Sequence, residues 1–112
     1  MDVYFRKSKM QKHSQTIADA QREWGTIRGI LVRRRLDELA AASNLEMMKK
    51  LPGAKCHELT GNLKGKLAVN LDQPYRLIFE PANDPVPRKA DGGLDWTQVT
   101  EINITDILDY HD

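Results

Sequence analysis

Apolar and polar residues alternate with a period of two in the middle of the chain. Leu67, Val69 and Leu71 are interleaved with Ala68 and Asn70, and Tyr75, Leu77 and Phe79 with Arg76, Ile78 and Glu80. That spacing marks half-buried β-strands. Turn formers separate them: Gly61 and Gly65 bracket one connection, and Asp72-Gln73-Pro74 supplies the next while removing a backbone donor before the following strand. With His57 on a first strand, the stretch 56–81 predicts a three-stranded meander.

Upstream the period lengthens to that of a helix. Met10, His13, Ile17, Ala20 and Trp24 fall on one stripe, which predicts a single amphipathic helix ended by Gly25. A second helix is expected over about 26–42 with Thr26 as its cap; Val32, Leu36, Leu39 and Ala40 form its buried face, widened by Ile27, Ile30 and Leu31. A short third helix over 44–51 stops at Pro52-Gly53. Val3-Tyr4-Phe5 reads as a short strand that must pair elsewhere. Residues 81–98, rich in Pro and Gly, read as a long loop. The last strand is expected over 99–110, with Ile102, Ile104, Asp106, Leu108 and Tyr110 on one face and Asn103, Thr105, Ile107, Asp109 and His111 on the other. Helices followed by strands predict an α+β fold: two to three N-terminal helices on one face of a mainly antiparallel, twisted sheet of four to five strands. At 112 residues the chain is expected to be one domain, 1–112.

Composition narrows the function classes. No apolar run approaches the roughly 20 residues of a membrane span, and no signal-peptide pattern opens the chain, so a cytoplasmic protein without a membrane partner is expected. The single cysteine, Cys56, excludes an internal disulfide and a cysteine-cluster metal site; it reads as a half-buried strand residue rather than a reactive thiol. The formal charge of +1 hides a division. Residues 1–66 carry fourteen Lys/Arg against seven Asp/Glu, whereas 67–112 carry three against nine. Such asymmetry is compatible with a polyanion-facing surface. Arg33-Arg34-Arg35 contributes little to one, because successive helix residues point about 100° apart; it reads as a solvated face. His13, on the apolar stripe, reads as packed.

Three polar sites remain as candidate chemistry: His57, Arg76, and the terminal Asp109-Tyr110-His111. An antiparallel sheet makes neighbours of distant residues, so two histidines and an arginine could meet at one phosphate. That set suits metal-free RNA cleavage. Attack of a ribose 2′-OH on the adjacent phosphate needs a base, an acid for the departing 5′-oxygen, and a cation for the charge that builds on phosphorus. Histidine serves as base or acid near neutrality, and arginine offers a bidentate fork. Spacing alone does not select this reading over solvated strand histidines.

The motifs REWG (22–25), RRRLDEL (33–39), LPG (51–53), CHELTGNLKG (56–65), PYRLIFEP (74–81), RKADGGLDW (88–96) and ILDYH (107–111) occur in the order shown by one family. The chain resembles the RelE/ParE-superfamily toxins of bacterial type II toxin–antitoxin systems, in their HigB-like (plasmid maintenance killer protein) branch. The resemblance implies a ribosome-dependent mRNA endonuclease that inhibits translation without a cofactor. It also implies a helix-turn-helix antitoxin as partner, operator DNA being reached only through it. Carried over by position, it implies His57 and His111 for the proton transfers, Arg76 for the scissile phosphate, Tyr110 for stacking or hydrogen bonding, and Asp109 for orienting a neighbour. Where the family often has lysine three residues after the motif histidine, this chain has Thr60; Lys64 or Lys66 is the expected substitute for RNA binding. Two alternatives stand beside this reading: a ParE-like inhibitor of DNA gyrase that hydrolyses no RNA, and a catalytically weak relative acting mainly by binding its antitoxin.

Overall fold

The computed structural model describes residues 1–110; the expected role of His111 falls outside the described residues, as does Asp112. Five strands build one sheet: β1 (Asp2–Phe5), β2 (His57–Glu58), β3 (Leu67–Asn70), β4 (Tyr75–Pro81) and β5 (Glu101–Asp109), in spatial order β1-β5-β4-β3-β2. The meander expected over 56–81 is β2-β3-β4, antiparallel throughout, and β5 continues it. β1 joins the far edge parallel to β5, which makes the sheet mixed.

Helices α1 (Ser8–His13), α2 (Ile17–Trp24) and α3 (Thr26–Ala41), with a 3-10 helix at Leu45–Lys50, lie between β1 and β2 in the chain. Where periodicity predicted one helix from Met10 to Trp24, there are two. The side chains of 14–16 break it: buried Ser14 turns its Oγ back to the Met10 carbonyl at 2.7 Å, and Thr16 caps α2 by accepting from the Asp19 N–H at 3.0 Å. Local hydroxyl bonds of this kind compete with helix continuation. Gly25, at φ 92°, ends α2 and begins α3, the position expected for Thr26. The two helices then approach so closely that a Cβ on Gly29 would lie 2.4 Å from the Gln21 nitrogen.

That contact rotates α3 away from its expected orientation. Gly29, Val32, Arg35, Leu36 and Leu39 are its buried positions, while Ile27 and Ile30 are 66% and 38% exposed instead of widening the buried face. The arginine triplet divides accordingly. Only Arg34 of the three is exposed: Arg33 is half-buried and donates to the Ser14 carbonyl and to Asp37, and Arg35 is buried.

The main core lies between helices and sheet. Val32, Leu36, Leu39, Leu45 and Met48 meet Leu67, Val69, Leu77, Phe79, Ile102 and Ile104. The other face of the sheet bears a small cluster, Leu59, Ala68 and Ile78, flanked by Leu63, Leu108 and Tyr110. β5 serves both faces through a register shift opposite Ile78 and Phe79, where Ile78 pairs with Asp106 and Phe79 with Ile104. Thr105 is the extra residue, a β-bulge. Beyond it the alternation inverts: Ile107 joins the helix-side core with Ile102 and Ile104, whereas Leu108 and Tyr110 join the opposite cluster. The expected sharing of one face by Ile102, Ile104 and Leu108 is therefore wrong.

The segment 82–98 is more ordered than a loop. Arg88 and Leu94 form a bridge, Leu94 enters the core, and Trp96 donates its Nε1–H to Glu58 of β2 at 3.0 Å. No helix among the described residues is long and apolar enough to cross a membrane.

Candidate functional site

Cross-strand partners in a sheet point to the same face. His57 is paired with Ala68, Ala68 with Ile78, and Ile78 with Asp106; in the adjoining row Asn70 is paired with Arg76 and Arg76 with Leu108. Since Ala68 and Ile78 belong to the cluster on the helix-free face, His57, Asn70 and Arg76 lie on that face too. Standard strand spacing puts the Cα atoms of His57 and Arg76 about 12 Å apart, two strands over and two residues along. Two long side chains can span that distance to one phosphodiester. Tyr110 packs beside the same cluster, its N–H bonded to the Pro74 carbonyl at 3.3 Å.

His57 is oriented by its own backbone neighbourhood. Lys55 adopts a left-handed conformation, φ 45°, and its carbonyl oxygen lies 2.7 Å from His57 Nδ1. A carbonyl only accepts, so Nδ1 carries the proton and the lone pair of the neutral ring resides on Nε2.

Arg76 is the unusual member. Its residue is only 7% exposed, yet no carboxylate pairs with it among the described residues. Nη1 donates to the adjacent Tyr75 carbonyl at 3.0 Å and Nη2 to Gln73 Oε1 at 3.3 Å, while the buried Nε has no hydrogen-bond partner. Among the described residues, then, this buried cation is met by neutral oxygens alone, an incomplete partner set. The hairpin beneath it is fixed from the helix side, where Arg28 forks onto Asp72 at 3.0 and 3.1 Å and stacks 3.5 Å from the Tyr75 ring centroid.

The remaining expected residues are less closely gathered. Lys66 reaches the same face, its ammonium 3.8 Å from Glu80 Oε2, whereas Lys64 is solvent-exposed at the end of the 61–63 turn. Asp109 pairs with Tyr75, a core-packed residue, and so lies on the helix side, opposite Arg76. Asn70 was not anticipated. It reads in sequence as a polar strand position like any other, and only register shows that it stands directly across from Arg76.

Two groups near the site bear on its chemistry by exclusion. Burial pushes the Cys56 thiol up to about 12, against a smaller opposing effect from Lys49, which makes it unreactive at neutral pH. Partial burial opposes ionisation of Asp106, but the hydrogen bond and charge of Lys7, with Arg6 and Thr105 behind them, outweigh it and hold the carboxyl below its ordinary value. Asp106 is thus an anion already neutralised, with Lys7 at 2.7 Å and Arg6 at 3.1 Å. Among the described residues no group of three or more His, Cys, Asp or Glu is arranged to hold a metal ion.

The fold thus sets helices on one side of a short-edged sheet and a surface bearing His57 and Arg76 on the other. Residues 3–89 match the HigB-like toxin family, the RelE-like toxin of type II toxin–antitoxin system HigB, and the chain is a member of that family. No curated protein matches it. Among solved structures it is similar to the YoeB/ParE toxin from Agrobacterium tumefaciens, at 10% identity and a TM-score of 0.49, over 99% of this chain and 100% of that one. It is also similar to the YoeB-YefM complex from Staphylococcus aureus, at 13% identity and a TM-score of 0.47, over 100% and 98%.

Proposed function

We propose that this toxin is a ribosome-dependent endonuclease that cuts mRNA by attack of a ribose 2′-OH on the adjacent phosphate. The observation that carries the reading is the buried Arg76 guanidinium, without a carboxylate partner among the described residues, on the same sheet face as His57. Arg76 holds the scissile phosphate and the charge that grows on it. His57, its ring oriented through Nδ1 by the Lys55 carbonyl, is assigned one proton transfer and His111 the complementary one. Tyr110 stacks on or hydrogen-bonds the substrate. Lys66 and Lys64 contribute positive charge along the RNA path in place of the missing lysine at Thr60. Asp109, on the far side of its strand, acts by orienting a neighbour rather than by touching phosphate.

The partners of this reading are the ribosome with mRNA in its decoding site and a helix-turn-helix antitoxin that carries the toxin to operator DNA. Cytoplasmic action follows from that substrate. In a reconstituted translation system the wild-type chain is expected to produce discrete message cleavages in register with codons, leaving a 2′,3′-cyclic phosphate or its hydrolysis product. His57→Ala with His111→Ala is expected to abolish them while the protein remains folded. Growth arrest with intact message and DNA damage signalling would overturn the proposal in favour of gyrase inhibition.

A further inference from the structure

Asn70 and Arg76 present an unsolved pairing. Both residues are 7% exposed, and each has one buried side-chain atom without a hydrogen-bond partner: Oδ1 of Asn70, an acceptor, and Nε of Arg76, a donor. Buried polar groups are bonded in the great majority of cases, so two orphans of complementary type on facing residues call for an explanation. Register brings them close. The Asn70 N–H points away from β4, to the Ala54 carbonyl at 2.8 Å, while Leu71 N–H bonds the Tyr75 carbonyl at 3.1 Å. Asn70 and Arg76 are therefore a non-hydrogen-bonded antiparallel pair, the kind in which opposing side chains approach most closely.

The guanidinium is engaged at the hairpin instead. Its Nη groups are spent on the Tyr75 carbonyl and on Gln73 Oε1, at the hairpin turn. A phosphate is a far stronger acceptor than either, being charged and able to take two parallel bonds. We propose that Asn70 is a positioning residue for Arg76: when a phosphodiester captures the Nη groups, the guanidinium turns off the hairpin and its Nε–H bonds Asn70 Oδ1, which locks the fork toward the substrate. The inference rests on the endonuclease reading above for its substrate, though the hydrogen bond it describes needs only a phosphate. Asn70 itself is well placed to act as a fixed post. Its backbone is held on both groups, N–H to Ala54 and C=O by Arg35 Nε at 2.7 Å.

The test compares variants that keep or remove the acceptor. Asn70→Gln retains a neutral carbonyl oxygen for Nε–H; Asn70→Leu removes it at similar volume, and Asn70→Ala serves if the leucine variant does not fold, with circular dichroism as the check. On programmed ribosomes kcat/KM is expected to fall about ten- to a hundred-fold in Asn70→Leu, the range for a hydrogen bond to a charged group, and to fall less in Asn70→Gln, which keeps a neutral acceptor. In an Arg76→Ala background the leucine substitution is expected to cost nothing more. A folded Asn70→Leu that cleaves like wild type, or effects of the two substitutions that multiply, would overturn the proposal. A second readout is independent of cleavage. The Arg76 Nε–H resonance, followed by 15N NMR during titration with inorganic phosphate, is expected to shift and to exchange more slowly with water in wild type and Asn70→Gln but not in Asn70→Leu. An unchanged wild-type resonance, or an identical response in the leucine variant, also counts against the role of Asn70. Absent cleavage by wild type with the phosphate response intact would overturn the endonuclease reading alone.

Discussion

Arg35 and Arg76 are buried to the same degree, 8% and 7% exposed, on opposite sides of the sheet. Arg35, from α3, uses its whole fork: Nε on the Asn70 carbonyl, Nη2 on the Gly53 carbonyl, and Nη1 on Glu38 at 2.9 Å. Arg76 has no such closure. It meets two neutral oxygens of its own hairpin and leaves Nε unbonded. The helix side thus treats a buried cation as a structural tie, bonded through all three of its nitrogens to a carboxylate and two carbonyls, whereas the one on the helix-free side meets, among the described residues, neutral oxygens alone. Burial alone does not distinguish structure from function; the completeness of the partner set does.

The largest expected effects break this contrast directly. Arg76→Leu is expected to reduce message cleavage by about a hundred- to a thousand-fold, the cost of losing a positioned donor to developing charge, with thermal stability unchanged or slightly raised. Arg35→Leu is expected to do the reverse. It strands two carbonyls and a carboxylate, at about 3 kcal/mol of stability, measurable by chemical denaturation. If Arg76→Leu unfolds the protein as Arg35→Leu does, the two arginines are alike and the contrast fails. Next comes Gly29→Ala, whose Cβ has no room against the α2 backbone. A loss of about 1–3 kcal/mol is expected, confined to the helix side, so cleavage per folded molecule should be unaltered.

The smallest effect concerns Asp106. Its carboxyl titrates below the ordinary value in the folded chain because Lys7 and Arg6 hold the anion despite partial burial. A depressed folded value means the contribution is present above the unfolded carboxylate range, near about 4, and disappears as pH falls through the lower folded value. Asp106→Asn is expected to cost under about 1 kcal/mol at pH 7 in low salt, and nothing at a pH where both states are protonated. A cost independent of pH would show that packing, not charge, is at stake.

Much of this fold was readable from periodicity. The meander, the α3 span and the Gly25 break follow from apolar spacing and turn residues, because those patterns are local. What escaped was tertiary. Ile27 and Ile30 fit the helical stripe, but the close approach at Gly29 sets which way α3 faces. The split between α1 and α2 turned on hydroxyl bonds from Ser14 and Thr16 that outweighed a continuous stripe. For the site, His57 and Arg76 were identifiable as residue types, yet their shared face depended on register, and Asn70 gave no signal without it. The excursion at 82–98 likewise looked structureless, since Leu94 and Trp96 declare their core role only once the chain has folded back.

The bulge at Thr105 makes the end of β5 a matter of counting. Absorbing that residue into a regular ladder would exchange the outlooks of everything after it, turning Ile107 and Asp109 to the helix-free surface and Leu108 and Tyr110 inward, whereas deleting it would leave them as they are. The parity of a strand, fixed by one inserted residue whose hydroxyl bonds the Ile78 carbonyl, therefore selects which terminal side chains can ever meet Arg76.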